Sequence, residues 1–438
     1  MKILAIETSC DETAISIISA IGKLSSSGKL KNNAQSKSAN KRNSLNVEVL
    51  ANIISSQVKL HAKWGGVVPN LARREHEKNL IPVLKKALKK AKMFNPSSKN
   101  SPWTVIQGEF LEEILKKESD LLKKFSKEIP KIKIPKVDAI AVTYGPGLEP
   151  ALWAGINFAK ALAYEWRKPL IPINHMEGHI AASLLNAKLI KFPTIALLVS
   201  GGHTELVLMK KWLDYKIIGQ TRDDAVGEAF DKVARMLNLG YPGGPLVSKL
   251  ASLGGAAAKL DIKLPRPMIN SGDFDFSFSG LKTAVLYLIK KLSEEKENET
   301  VKSKAEKFAC HRIPSLAEGG VRPQESHFLS EAVIAAICYE FQEAAVDVLV
   351  SKTIKAAKKY KAETIVIGGG VTANVRLRER LKESSVENSL NLMLPPKELS
   401  TDNAEMIAIA AYIRTTGTKN PAVKNPSKLK ADGNLKLK

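Results

Sequence analysis

The pattern that most constrains the fold is a strand–turn–strand unit that occurs twice in this chain of 438 residues. Residues 3–18 and 195–209 each contain an apolar run, a polar turn and a second apolar run, with the turns at 7–13 and 200–203. Short apolar runs bounded by turn residues are typical of strands. Because the same plan recurs far along the chain, it predicts two related lobes that each begin with a β-hairpin.

Strand-like and helix-like segments alternate around these hairpins. Residues 137–143 predict a strand, 149–166 an apolar helix and 169–173 another short strand. Residues 329–358 predict a long helix before the buried strand 365–367. This βαβ alternation predicts an α/β fold with mostly parallel sheets flanked by helices.

Three segments interrupt the alternation and are interpreted as insertions. Residues 22–46 carry six Lys or Arg and no acid in a low-complexity sequence, which is typical of a mobile loop. Residues 95–136 predict one amphipathic helix that packs on its own domain. Residues 293–327 predict a charged loop. Before the last insertion, Phe alternates with Asp or Ser at 273–279, which predicts a strand with one aromatic face.

The net charge of +23 is unusual for a chain of ordinary globular composition. Part of it lies in 22–46 and part in 419–438, which carries six Lys and one Asp and is predicted to fold poorly. The basic excess on the rest favours a polyanion such as nucleic acid. A Lys-rich composition that only keeps the protein soluble explains the charge equally well at this point.

Cysteine usage and hydropathy bear on the compartment. The three cysteines include no CxxC pair, which argues against a disulfide framework and fits a reducing cytosol. The apolar N-terminal stretch stops at Glu7, too short for the core of a signal peptide. No apolar run approaches the length of a membrane span. The sequence therefore predicts a cytoplasmic protein without membrane association.

Two histidines stand at the start of a predicted helix, in His175-Met176-Glu177-Gly178-His179. Side chains at i and i+4 share one helix face, which suits two imidazoles that bind one metal ion. In the zinc-protease pattern HExxH the glutamate directly follows the first histidine, whereas Glu177 comes two residues after it and points away from that face. Ordinary hydrogen bonding at a helix start fits the spacing equally well, and a metal would need a third ligand from elsewhere.

Four further acids are candidates for chemistry. Asp402 precedes the apolar helix 404–413, so it is either that missing ligand or the N-cap of the helix. Asp11 and Glu12 stand in the first hairpin turn, where adjacent carboxylates are not needed for folding. Asp231 falls on a predicted helix, where a plain surface acid is the simpler interpretation from sequence alone.

Two glycine turns follow buried strands, Ser200-Gly201-Gly202 and Gly368-Gly369-Gly370. Glycine lets backbone N–H groups approach an anionic ligand closely, and a following helix adds a positive dipole end. Neither turn is a Walker loop or a GxGxxG motif, and each alone is explained by a tight turn. A pair of such turns, one in each of two related lobes, predicts a cleft that holds a nucleotide.

Six motifs occur along the chain in a fixed order. They are residues 7–13, His175-Met176-Glu177-Gly178-His179, Ser200-Gly201-Gly202-His203-Thr204, Tyr241-Pro242-Gly243-Gly244-Pro245, Phe276-Ser277-Phe278-Ser279-Gly280-Leu281-Lys282-Thr283 and Thr401-Asp402-Asn403. Together they closely resemble the TsaD/Gcp family, over about residues 2–415 outside the insertions. The forms SGGHT and HMEGH are similar to the bacterial branch. Members of this family complete the threonylcarbamoyl modification of adenosine 37 in tRNA.

The resemblance implies a two-lobe actin-like fold (ASKHA, Hsp70-like and sugar-kinase-like) with duplicated lobes. We accordingly place the N-terminal lobe at residues 1–190 plus 400–416 and the C-terminal lobe at 191–399. Residues 417–438 are interpreted as a basic tail.

The resemblance also implies roles for single residues. His175, His179 and Asp402 would bind one divalent metal ion, Fe²⁺ or Zn²⁺, and Asp11 and Glu12 match family acids near the reaction. The implied substrate contacts are Leu198, Val199, Ser200, Gly201, Gly202, Asp231, Gly244 and Asn374. Two positions depart from the family pattern: Ser248 replaces an acid that touches the ligand in many members, and Asn70 replaces a usual Glu.

The implied partners are tRNA, threonylcarbamoyl-AMP, a TsaB-like paralogue and a TsaE-like ATPase. Three other functions compete with this interpretation. An ATP-dependent small-molecule kinase could use the same fold, and a non-catalytic scaffold could resemble the family's paralogues, although the intact set of three metal ligands counts against a scaffold. A metallopeptidase would need a base beside the metal, which the sequence does not supply at the required spacing.

Overall fold

Two five-stranded sheets organise the residues that the computed structural model describes. These residues are 1–21, 23–24, 30–31, 46–97, 105–185, 190–254, 262–297, 329–418 and 420–438. The predicted loops at 22–46 and 293–327 lie mostly outside them. Within the first of these loops, Lys23–Leu24 and Leu30–Lys31 form a short two-stranded ladder, β3 and β4.

The first sheet has the strand order β5-β2-β1-β6-β7. Its strands are β1 (Lys2–Glu7), β2 (Glu12–Ile21), β5 (Asn46–Ser56), β6 (Ala139–Gly145) and β7 (Leu170–Asn174). β1 and β2 form the predicted antiparallel hairpin, with Ile6 opposite Ile15. β5 is antiparallel to β2, whereas β6 is parallel to β1 and β7 is parallel to β6.

The second sheet repeats this arrangement with the order β10-β9-β8-β11-β12. Its strands are β8 (Thr194–Val199), β9 (Thr204–Lys211), β10 (Asp214–Gln220), β11 (Thr364–Gly368) and β12 (Asn391–Met393). The β8–β9 hairpin is antiparallel, as is the β9–β10 pair, and β11 and β12 are added in parallel. Because both sheets share one topology, the predicted two-lobe actin-like α/β fold with duplicated lobes is confirmed.

Helices cover the sheets and fill the space between them. They are α1 (Val58–Ala62), α2 (Pro69–Lys90), α3 (Val105–Ile114), α4 (Ser119–Glu128), α5 (Glu149–Trp166), α6 (His175–Leu184), α7 (Val226–Met236), α8 (Gly243–Gly254), α9 (Ser279–Glu297), α10 (Glu331–Lys359), α11 (Val375–Glu387) and α12 (Ala404–Gly417). α6 and α12 pack on each other, α12 on β1 and β2, and α6 on β11. One apolar cluster therefore joins residues of both sheets through these two helices.

Two local predictions differ from the structure. Residues 105–128 form two helices, α3 and α4, where one amphipathic helix was expected, although Leu111 and Phe125 are buried against their own lobe as predicted. Residues 273–279 bury their aromatic face but form no ladder beyond one bridge between Phe276 and Thr221. Side chains replace a neighbouring strand there, since the Asp223 carboxylate accepts the N–H groups of Phe278 and Ser279.

The segment 420–438 is also better packed than its composition predicts. The Val423 N–H donates to the Leu170 carbonyl at 2.9 Å, and Leu429 and Leu437 are buried. The two leucines supply the apolar anchors that a run of lysines lacks. Of the helices in the described part of the chain, none combines the length and apolar character needed to cross a bilayer.

Candidate metal centre and substrate cleft

The two histidines are placed by the start of α6, directly after β7 ends at Asn174. The Asn174 side-chain oxygen accepts the N–H groups of Met176 at 2.8 Å and Glu177 at 3.4 Å, which caps the helix. The cap fixes His175 as the first helical residue, and His179 follows one turn later. Their ring centroids lie 4.6 Å apart, so the predicted shared face is confirmed.

Asp402 joins the histidines from the other end of the sequence. Its Oδ1 lies 3.4 Å from His175 Nε2 and 3.2 Å from His179 Nε2, and the three ligand atoms all lie within 4.8 Å of one another. The alternative role of Asp402 as a helix cap is wrong, because the neighbouring Asn403 caps α12 by accepting the Met406 N–H at 3.0 Å. The Asp402 carboxylate therefore faces the imidazoles.

The protonation of His179 and Asp402 fits a divalent cation, whereas His175 must release a proton to bind one. Burial acts to lower the pKa of His175, but the charges of Asp402 and Glu7 outweigh it and raise that pKa well above its ordinary value. His179 is buried, and its contact with Asp402 lacks hydrogen-bond geometry, so neither ring nitrogen has a hydrogen-bond partner among the described residues. Burial lowers the pKa of His179, which favours the neutral imidazole that a metal requires. Burial acts to raise the pKa of Asp402, but His175 and His179 outweigh it and hold that pKa below its ordinary value. Two imidazoles and an ionised carboxylate suit Fe²⁺ or Zn²⁺.

Asp11 and Glu12 lie where the β1–β2 hairpin turns beside these ligands. Burial raises the pKa of Glu12 well above its ordinary value, and the charges of Asp11 and Asp402 raise it further. Burial likewise raises the pKa of Tyr241 in the second lobe, and Asp11 adds to that effect. The charge of Asp11 therefore reaches Tyr241, which belongs to the second lobe, across the cleft between the lobes.

Both glycine turns border this cleft from the second lobe. The glycine pattern alone placed the two turns in two related lobes, which is wrong, whereas the predicted C-terminal lobe at 191–399 already includes both. β11 pairs in parallel with β8 and brings the two turns to the same sheet edge. Gly369 has a φ of +94°, and a Cβ there would lie 2.3 Å from the Val199 carbonyl oxygen, so the close approach requires glycine. A Cβ at Gly201, Gly202 or Gly370 would meet nothing within 4 Å, which leaves that side open to a ligand.

The remaining predicted substrate contacts lie on the same lobe. The Asp231 carboxylate accepts the Gly243 N–H at 2.7 Å next to the open Gly244, so it is not a plain surface acid. The Asn374 amide donates to Ser248 and to Gln342, both at 2.8 Å. The side chains of Leu198 and Val199 are fully buried, which leaves only their backbone to face a ligand. Ser248, a position at which the sequence resemblance implied a departure from the family, is in this chain a hydrogen-bond partner of Asn374.

Comparison with known proteins identifies the family. The family model that matches is TsaD, described as tRNA N6-adenosine threonylcarbamoyltransferase, over residues 48–95 and 115–409. A curated protein of that name from Persephonella marina is 41% identical over 417 residues, which cover 94% of this chain and 90% of that protein. Its counterpart from Thermosipho africanus is 38% identical over 437 residues and 100% of both chains. The chain belongs to the TsaD family.

Solved structures share less with this TsaD chain. HypF of T. kodakarensis is 14% identical, with a TM-score of 0.46 over 70% of this chain and 45% of HypF. The ROK hexokinase of Thermus thermophilus is 12% identical, with a TM-score of 0.38 over 95% of this chain and 100% of the hexokinase.

Sequence reasoning missed the group that holds His175 in this TsaD site. Glu7 Oε2 and Ser9 Oγ lie 3.2 Å and 3.1 Å from His175 Nδ1, on the side of the ring away from Asp402. Glu7 is fully buried and also accepts the Thr143 hydroxyl. A carboxylate in this place fixes the tautomer and orientation of a metal-binding histidine. The available signal was an acid that directly follows an apolar strand.

Glu177 takes no part in the candidate metal centre, as its spacing predicted. Its Oε2 accepts two hydrogen bonds from the Arg414 guanidinium, at 2.7 and 3.1 Å, and its Oε1 accepts the Tyr215 hydroxyl at 3.3 Å. These contacts tie α6 to α12 and to β10 of the second lobe. A carboxylate engaged in this way is not the base of a metallopeptidase.

Proposed function

We propose that this TsaD chain transfers the threonylcarbamoyl group of threonylcarbamoyl-AMP to the N6 amine of adenosine 37, in tRNAs that read codons beginning with adenine. The observation that carries the proposal is the convergence of His175, His179 and Asp402 beside the open glycine turns in a member of this family. Neither the kinase nor the scaffold alternative accounts for a prepared metal centre at that place.

The adenylate lies in the cleft against Gly201, Gly202 and Gly370, where no side chain blocks the backbone N–H groups. Such N–H groups bind phosphate oxygens well. Asp231, Gly244 and Asn374 border the same pocket and contact the rest of the nucleotide. The helix α11, which Asn374 caps, begins beside this pocket.

The reaction forms one bond and breaks one. The N6 amine attacks the carbamoyl carbon, the bond from that carbon to the AMP phosphate oxygen breaks, and AMP leaves with the electron pair. The amine loses one proton, which a carboxylate at Asp11 or Glu12 accepts. A raised pKa makes the Glu12 carboxylate a stronger base than an ordinary one, which suits that step.

His175, His179 and Asp402 hold one divalent cation, Fe²⁺ in our proposal and Zn²⁺ as the alternative. When bound, the cation supplies Lewis-acid polarisation of a carbonyl oxygen. Glu7 orients His175 through its contact with Nδ1, which leaves Nε2 for the cation. The negative charge of Asp402 offsets part of the positive charge of the cation. The partners are a TsaB-like paralogue and a TsaE-like ATPase, and the compartment is the cytoplasm.

Reconstitution tests this function. The assay mixes this chain with its partner proteins, threonylcarbamoyl-AMP and unmodified tRNA. The tRNA is then digested, and mass spectrometry detects any N6-threonylcarbamoyladenosine. We expect product with this tRNA and none with a matched tRNA that has guanosine at position 37. No product from the complete mixture, or phosphoryl transfer from ATP to a small molecule instead, would contradict the proposal.

A further inference from the structure

Residues 420–438, which we call the docked lysine segment, lie against the first lobe at several points. The Lys160 ammonium donates to the Ser427 carbonyl at 3.3 Å, and the Asp432 N–H donates to the Tyr144 carbonyl at 2.9 Å. Leu429 and Leu437 are 8% and 6% exposed, so both leucines point inward. A segment with this many anchors has a defined path, unlike a solvated basic tail.

Along this path the segment passes close to the residues that contact His175. The Gly147 N–H donates to the Gly433 carbonyl at 3.2 Å. On its other side Gly147 abuts Ser9, since a Cβ on Gly147 would lie 2.6 Å from the Ser9 carbonyl oxygen. The Ser9 hydroxyl lies 3.1 Å from His175 Nδ1. Only one layer of backbone therefore separates the docked lysine segment from the residues that hold a metal ligand.

The outward face of the segment is a row of cations. Its exposed lysines are Lys424, Lys428, Lys430, Lys436 and Lys438. None of them forms a salt bridge with a carboxylate in the described ranges, and the segment has a single acid, Asp432. Leu437, next to Lys436, belongs to the apolar cluster that also contains Val207 and Met209 of β9, which places the end of the row beside the second lobe. The row thus runs from the first lobe to the cleft.

We propose that the docked lysine segment binds the phosphodiester backbone of the tRNA at the rim of the cleft. The inference rests on the proposed function. For the N6 amine of a base to reach the metal centre, that base must leave its stack, and the backbone on either side must follow the rim. Lysine binds phosphate as a point charge, and such contacts set affinity and position without reading sequence. The segment accordingly serves every tRNA substrate alike.

Charge removal tests the proposal without disturbing the anchors. The test variant combines Lys428→Gln, Lys430→Gln, Lys436→Gln and Lys438→Gln. The matched control combines Lys210→Gln, Lys211→Gln, Lys358→Gln and Lys361→Gln. The control lysines are equally exposed and lie near the ends of β8 and β11 opposite the glycine turns, where Thr194 pairs with Met209 and Thr364. Both variants lower the net charge equally, so a difference between them reports position.

Equilibrium binding of unmodified tRNA is measured over a range of salt concentrations. Each lost phosphate contact reduces the slope of log K against log salt by about 0.7–0.9. We expect the test variant to lose about two to four contacts, which reduces its slope by about 1.5 to 3.5, and the control to keep a near wild-type slope. In the reconstituted reaction KM for tRNA rises and kcat is retained. Equal slopes in the two variants would overturn the proposal. Unchanged tRNA binding with weakened binding of a partner protein would also overturn it, in favour of an acidic protein ligand.

This test separates the inference from the proposed function. If the wild-type mixture makes no modified adenosine, the proposed function fails whatever the slopes are. If the wild type is active and the test variant keeps the wild-type slope, only the role of the docked lysine segment fails. If both variants have the melting temperature of the wild type, misfolding is excluded as the cause of either result.

Discussion

At the scale of single residues, Glu7 supports the candidate metal centre through its contact with His175. Its carboxylate is fully buried and lies 3.2 Å from His175 Nδ1. Glu7→Gln keeps the shape and removes the charge that orients the imidazole. We expect metal affinity to fall by about 10–100-fold, as for other carboxylates that support a ligating histidine. A competitive chelator titration measures it, with Glu48→Gln as a control at an exposed site on the same sheet. Equal affinity in the two variants would show that Glu7 is only structural.

His76 gives the protein a predictable response to acid. It is buried between the Thr13 hydroxyl at 2.8 Å and the Cys10 carbonyl at 3.0 Å, and burial lowers its pKa from 6.5 to about 4. In the unfolded chain His76 takes up a proton below pH 6.5, which the folded protein resists. Its contribution to stability is therefore complete above pH 6.5 and falls by about 3 kcal/mol as the pH drops to 4.

Urea unfolding at pH 7, 5.5 and 4 tests this response. The free energy of unfolding should fall more steeply in the wild type than in His76→Gln, whose side chain does not titrate. Parallel losses in the two proteins would mean that other groups cause the acid sensitivity.

The residue-scale predictions from sequence succeeded where the signal was local. His175 and His179 share a face because of their spacing in one helix, so their sequence positions were enough. Asp402 was left open between a metal ligand and an N-cap until the resemblance to a family favoured the ligand, since its partners lie more than two hundred positions away. Glu7 remained unassigned because its contacts with His175 and Thr143 depend on strand pairing that no local pattern reveals.

At the scale of elements, the layer formed by α6 and α12 joins the lobes. Glu177 on α6 is 2% exposed and pairs with Arg414 on α12 at 2.7 Å. Arg414→Leu leaves that carboxylate buried without its cation, which costs about 3 kcal/mol. Replacing both residues by leucine removes both charges, so the double variant should be more stable than Arg414→Leu alone.

A double-mutant cycle in chemical denaturant measures this coupling, with Glu177→Leu as the fourth corner. The loss of unfolding free energy in the double variant should be well below the sum of the losses in Arg414→Leu and Glu177→Leu. If the single costs simply add, the pair contributes nothing to holding α6 against α12.

Elements with their own periodicity were predictable, and elements that depend on distant partners were not. The β1–β2 hairpin follows from two adjacent apolar runs and is confirmed. At 273–279 the alternation of Phe predicted the buried face, but the carboxylate of Asp223 supplies backbone partners in place of a strand. The glycine pattern alone placed the turns in two lobes, although both fall in the predicted C-terminal lobe 191–399, because the parallel pairing of β8 with β11 spans a long crossover.

At the scale of the whole molecule, the two related sheets bring the candidate functional residues to one shared cleft. The first lobe provides the acid pair, and the second provides the glycine turns. The proposed metal ligands come from α6 and from the turn before α12, at the ends of the helices that lie between the sheets. Composition revealed the basic excess, but it could not show that 420–438 is docked, because Leu429 and Leu437 act through burial in a lobe folded from distant residues.

The central claim is that three side chains from distant parts of the chain bind one divalent cation at this cleft. Anomalous X-ray diffraction from crystals loaded with Fe²⁺, and separately with Zn²⁺, tests it most directly. We predict a single strong peak about 2.0–2.2 Å from His175 Nε2, from His179 Nε2 and from a carboxylate oxygen of Asp402. A cation bound elsewhere in the loaded crystals, with no peak among these three residues, would contradict the account.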